Sequence, residues 1–130
     1  MNIETKEKLL KVALAAFGVI FLLVYPVGLV WPSGWVWHAG QGEYYLQMIC
    51  AFYAVLGIFL IIASRVPAQH RSLISFTVWS SVAHGGVMAV QAVTDGHEMG
   101  HMLGDVPALL LVAIVLGYLS AGAPKQAHAI

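Results

Sequence analysis

At 130 residues the chain has the length for one small domain, or for four membrane crossings of about 20 residues each with short connections. Hydrophobic residues make up 60% and charged residues 9%, with a mean hydropathy of +0.83, and a soluble fold this small cannot hide that much apolar surface. Six Lys and Arg balance six Asp and Glu, which gives no case for nucleic acid as a partner.

Four apolar segments stand out, at about 9–31, 44–64, 73–93 and 106–121. The first is preceded by a charged, amphipathic start, where Asn2 or Thr5 can cap a helix and Glu4–Lys8 and Glu7–Lys11 stand at i,i+4 spacing. The apolar run is too long for a signal-peptide core and has no small-x-small cleavage site, so this N-terminus is expected to be retained. Pro26 should bend the first helix near its end, and Pro32 and Gly34 should stop it. Pro67 follows the second segment, Thr94-Asp95-Gly96 breaks the chain after the third, and Pro124 ends the fourth. The fourth segment, at 1.5 Å per residue, reaches only about 24 Å. It needs the residues before it, or local thinning of the bilayer, to cross.

Lys6, Lys8, Lys11, Arg65, Arg71 and Lys125 lie at the N-terminus, in the second loop or in the C-terminal tail, and the other two loops contain no cation. By the positive-inside rule both termini are cytoplasmic. Glu43, Asp95, Glu98 and Asp105 fall on the opposite face, where Trp31, Trp35 and Trp37 suit an interfacial belt. The expected architecture is all-α, one domain over 1–130. It is an up-down-up-down antiparallel bundle of four transmembrane helices in the plasma membrane.

On the third helix Thr77, Ser81, His84, Met88, Gln91 and Asp95 are spaced 4, 3, 4, 3, 4, which places them on one face. Glu43, Gln47, Cys50, Ala54 and Gly57 form a similar face on the second helix. Lipid cannot satisfy such groups, so both faces should turn into the bundle. His84 is the strongly polar ionisable residue nearest the bilayer centre. It suits a haem or metal ligand, a proton relay or a hydrogen bond to a quinone-like ligand, with Thr77, Ser81 and Gln91 beside it. It equally suits a neutral histidine bonded to a Tyr, a Ser or a free carbonyl. For Cys50, Ser80, Ser81 and Gly57 close helix packing is the expected role.

Residues 96–107 repeat glycine every fourth position, at Gly96, Gly100 and Gly104, and contain the string His97-Glu98-Met99-Gly100-His101. On an α-helix, histidines at i and i+4 can hold zinc while the glutamate activates water. A protease also needs a third ligand, a peptide cleft and a stable helix, and each glycine costs about 1 kcal/mol of helix propensity. The string is therefore read as accidental, with no catalytic residue assigned. A simpler Zn²⁺ or Cu²⁺ site remains open for His97 and His101 with Asp105, Glu98, Asp95 or His38. The structural alternative is a solvated loop in which Asp105 caps the fourth helix and Pro107 sits in its first turn.

Several stretches together resemble a group of small bacterial four-helix membrane proteins catalogued only as a domain of unknown function. They are Trp31-Pro-Ser-Gly-Trp35, Tyr53-Ala-Val-Leu-Gly57, His70-Arg-Ser-Leu-Ile74, Trp79-Ser-Ser81 with His84, and Gly104-Asp-Val-Pro-Ala108. The resemblance spans about residues 5–120 and implies a four-helix membrane protein without an assigned activity. It implies a Gly-His-x-x-Gly-Asp-Val-Pro run at Gly100 to Pro107 but no histidine at position 97, which shifts weight to His84, His101 and Asp105.

Other families fit poorly. Cys50 is the sole cysteine, which excludes an intrachain disulfide and the Cys-x-x-Cys chemistry of membrane thiol oxidoreductases. Small multidrug exporters carry a glutamate inside the first helix, which has no acid after Glu7. Di-haem cytochromes need histidine pairs in the bundle, and only His84 lies there. The leading expectation is a binding or accessory protein holding a small ligand or metal ion at the outer mouth of the bundle through His84, Gln91, His101 and Asp105. The alternatives are a subunit of a larger membrane complex with the polar stripe as packing glue, a haem- or quinone-linked redox protein, and transport by a homo-oligomer.

Overall fold

The computed structural model describes residues 1–30 and 41–121, leaving aside the side chains of 41–43. The expected tryptophan belt and stop signals from Trp31 to His38, the Glu43 side chain, Pro124 and Lys125 lie outside the described residues. Four α-helices account for most of what is described: α1 (Ile3–Val30), α2 (Gln41–Arg65), α3 (Arg71–Thr94) and α4 (Asp105–Ser120). Two 3₁₀ segments join them, Pro67–Gln69 between α2 and α3 and Gly96–Met102 between α3 and α4. No strand occurs among the described residues.

Helix α1 begins upstream of its apolar segment because its first turns are stabilised locally. Asn2 Oδ1 accepts from the Thr5 amide at 2.8 Å, and Lys8 and Lys11 pair with Glu4 and Glu7 at 2.8 Å each. Pro26 lies within α1, which continues to Val30. Four stretches are long and apolar enough to cross a membrane: Ile3–Val30, Tyr44–Arg65, Arg71–Thr94 and Gly96–Ser120. The last shows how the short fourth segment gains length, since the 3₁₀ helix runs into α4. Large apolar side chains such as Val12, Phe52, Val55, Trp79, Val90 and Ile114 are exposed all round the molecule, as a lipid-facing surface requires.

Packing is pairwise. Helix α1 lies on α2 and α3 lies on α4, with α1 and α4 joining the pairs; α2 and α3 make little backbone contact. The α1–α2 seam closes at two glycines. A Cβ on Gly57 would lie 2.5 Å from the Gly18 carbonyl oxygen, and one on Gly18 would lie 2.7 Å from that of Gly57. Only glycine allows so close an approach of two backbones. The α3–α4 seam is looser, with Gly85 beside Leu109 and Gly117 beside Val78. Leu14, Leu60, Ile74 and Leu116, one from each helix, are fully buried and form the centre of the core. At one end the start of α1 meets the end of α4, where Lys6 Nζ donates to the Ala121 carbonyl at 3.3 Å and lies 4.5 Å from the centre of the Tyr118 ring.

This pairing decides what the two polar stripes meet. The α2 face turns into the bundle as expected, with Cys50 and Gly57 buried and Gly57 set against Gly18 of α1. On α3 the buried positions are Ile74, Thr77, Ser81, Gly85 and Ala92. At 100° per residue, His84 lies roughly 70° and Gln91 roughly 90° round from the centre of that face. His84 is therefore half-buried on its edge, and Gln91 and Asp95 are exposed.

Candidate functional site

The edge of α3 that carries His84 looks across the gap to α2. There the Tyr53 hydroxyl lies 2.7 Å from His84 Nδ1, and the two rings are tilted with centroids 5.8 Å apart. Phe21 of α1 packs edge-on against Tyr53, with centroids 5.0 Å apart, and fixes its orientation. Tyr53 is thus a site residue that stripe reasoning passed over. Its signal was present, because a tyrosine within an apolar helix must find a partner for its hydroxyl. Thr77 and Ser81, expected beside His84 in a ligand site, are buried against the rest of the fold. The Thr77 hydroxyl donates to the Leu73 carbonyl at 2.9 Å within its own helix, and Ser80 donates to the Thr77 carbonyl at 3.2 Å.

The loop before α4 forms a second polar group. The glycine-rich stretch takes the 3₁₀ form, which has three residues per turn, so positions i and i+3 align while i+4 lies about 120° away. Glu98 and His101 accordingly meet at 2.9 Å through His101 Nε2, whereas His97 is exposed on another side. The His-Glu-x-x-His string thus has no pair of histidines on one face. Asp95, exposed, caps this segment by accepting from the His97 amide at 3.0 Å.

Asp105 departs from its expected role. Gly104 occupies the N-cap of α4 and makes no side-chain capping bond, while Asp105 is the first helical residue and Pro107 follows in the same turn. The Asp105 carboxylate instead lies 2.5 Å from His101 Nδ1. Its negative charge still suits the positive end of the α4 dipole. His101 is only 8% exposed and has a carboxylate at each ring nitrogen. A metal ion would have to displace one of these carboxylates to reach the ring. Among the described residues no three His, Cys, Asp or Glu side chains form a group that could hold a metal.

Both polar pairs border one cavity of about 210 Å³. Tyr53 and His84 stand on one side, His101 and Asp105 on another, and the rest of the wall is largely apolar, with Phe17, Phe21 and contributions from all four helices. Cys50 and Met88 also reach it, but Gln91 does not.

The family model that matches the chain is that of a family of unknown function (DUF6632), over residues 4–128. The chain belongs to this family. No curated protein and no solved structure shows significant similarity to it. Membership in the family brings no activity, ligand or site residue with it, so the chemistry of the site rests on its geometry.

Proposed function

We propose that the protein is a plasma-membrane binding protein that takes a small, lipid-soluble molecule with a carbonyl-type acceptor into the cavity between Tyr53–His84 and His101–Asp105. The carrying observation is the combination of a largely apolar chamber with two hydrogen-bonded pairs on its wall. An apolar cavity of about 150 Å³ already holds benzene, so about 210 Å³ accommodates a single substituted ring. In this reading the Tyr53 hydroxyl, 2.7 Å from His84 Nδ1, donates to that nitrogen, which leaves the imidazole proton on Nε2 as the donor for a ligand carbonyl. A quinone head group has this chemistry.

In this reading the helices cross in an antiparallel up-down-up-down order with both termini cytoplasmic. Supporting it, Gly18 packs near Ile61 while Gly57 packs near Leu22, and Lys6 at the start of α1 meets Ala121 just beyond α4. The cations at the chain start and between α2 and α3 argue for that end as the inner one.

The test is mass spectrometry of organic extracts from the detergent-purified protein, with thermal shift on adding decylubiquinone. A bound organic molecule or a quinone-dependent shift, reduced in Tyr53→Phe and His84→Ala, is the expected result. Neither signal in the wild type sinks the proposal. Elemental analysis in parallel distinguishes a metal site: about one Zn or Cu per chain, lost in His101→Ala, would transfer the role to the loop cluster.

A further inference from the structure

At the opposite end from that site lies a larger cavity, of about 580 Å³, bounded by the start of α1, the 3₁₀ turn at Pro67, the first turns of α3 and the end of α4. It has two zones. Lys6 and Arg71 border it together with the hydroxyl-bearing Ser72 and Ser75, while Leu10, Ile74, Val78, Trp79 and Leu119 provide apolar wall further along the same helices. Lys6 is fixed in place by the Ala121 carbonyl and the Tyr118 ring, contacts that use one of its three ammonium protons for a hydrogen bond. Glu7 also borders the cavity, but its carboxylate is paired with Lys11 at 2.8 Å. The first turn of α3, which has no side-chain cap, adds a partial positive charge.

We propose that this cavity is a binding site for an anionic phospholipid, with the phosphate between Lys6 and Arg71 and an acyl chain along Val78 and Trp79. Charge complementarity and the order of the zones argue for this occupant. The cationic groups stand at the end of the helices and the apolar wall continues towards their middle, matching a lipid whose head lies at the interface and whose tail lies in the bilayer. Arg71 offers a planar fork of donors suited to phosphate oxygens and Lys6 a point charge. Lys8 and Arg65 lie at the same end without bordering the cavity, which makes them internal controls. This site is independent of the ligand cavity near Tyr53 and His84.

The experiment is native mass spectrometry and thermal unfolding of the full chain, with added phosphatidylglycerol, phosphatidylcholine or inorganic phosphate. The expected result is a lipid adduct and a thermal shift with phosphatidylglycerol alone. Lys6→Gln and Arg71→Gln should each weaken that binding about fivefold, the scale of one interfacial cation, whereas Lys8→Gln and Arg65→Gln leave it within twofold. Circular dichroism checks that each variant is folded. Equal effects of phosphatidylcholine, equal losses in the control variants, or a shift produced by inorganic phosphate without a lipid adduct would each overturn the proposal. The lipid comparison in the wild type decides the matter even if a variant does not fold.

Discussion

Tyr53 and His101 illustrate how single polar groups are accommodated in a chain that is mostly apolar. Each is held by a side chain from elsewhere in the sequence or from an adjoining turn, and each borders the same cavity. Tyr53→Phe removes one hydrogen bond that spans α2 and α3. We expect a loss of about 0.6–1.5 kcal/mol in detergent unfolding, the range for such bonds between membrane helices. At the loop, Asp105→Asn leaves the buried His101 without a charged partner at Nδ1 and should cost roughly 1.5–3 kcal/mol. His97→Ala, on an exposed side chain, should change stability by less than about 0.5 kcal/mol. Equal costs for His97 and Asp105 in the same unfolding assay would mean that the two histidines act together after all. His84, His101 and Asp105 were legible from the sequence as the polar residues of interest. Which partner each takes was not, because Tyr53 and His84 are 31 positions apart and their meeting depends on how α2 and α3 are placed.

The helices themselves are set by local chemistry, while their seams depend on shape. Asn2 caps α1, Thr94-Asp95-Gly96 ends α3, and Pro67 starts the 3₁₀ turn, all as composition and turn chemistry dictate. The segment Gly96–Met102 behaves differently from an α-helical reading of its motif, since its glycines withdraw helix propensity and the tighter 3₁₀ form results. The two classes of glycine in the helices give opposite expectations. Gly57→Ala places a methyl against the Gly18 carbonyl oxygen and should destabilise the protein by roughly 1–3 kcal/mol. Gly86→Ala has open space around it and should be neutral or stabilising by up to about 1 kcal/mol. Thermal unfolding of the two variants side by side checks both, and a neutral Gly57→Ala would show that α1 and α2 are less tightly joined than their geometry implies.

For the molecule as a whole, the proposed orientation places Lys8 and Arg65 on one side of the membrane and Met99 and Leu103 on the other. Cysteines introduced one at a time at Lys8 and Leu103, in a Cys50→Ser background, should react with a membrane-impermeant maleimide from opposite sides: Leu103→Cys in intact cells, Lys8→Cys only after the inner face is opened. Labelling of both from the outside would reject the orientation. The pairwise arrangement, with α1 and α4 between α2 and α3 in the contact pattern, leaves the gap that Tyr53 and His84 bridge. A closed ring of four mutually packed helices would have filled it.

Hydrophobicity and turn residues belong to short stretches of chain, so the sequence by itself determined that the protein has four apolar helices and which polar residues they carry, while the start of α1 at Ile3 and the 3₁₀ extension that brings the fourth segment to membrane length came with the structure. Face-to-face pairing belongs to no single stretch. Two helices approach according to which small residues meet, and the contact of Gly18 with Gly57 drew α2 onto α1 while Gly85 and Gly117 seated α3 on α4. That choice offset the stripe on α3 by roughly 50° from the buried face, so that Thr77 and Ser81 went into the core while Gln91 stayed outside, and it brought Tyr53, His84, His101 and Asp105 around one cavity. Only the tertiary structure could decide it, because periodicity fixes which residues share a face and says nothing about what that face will meet.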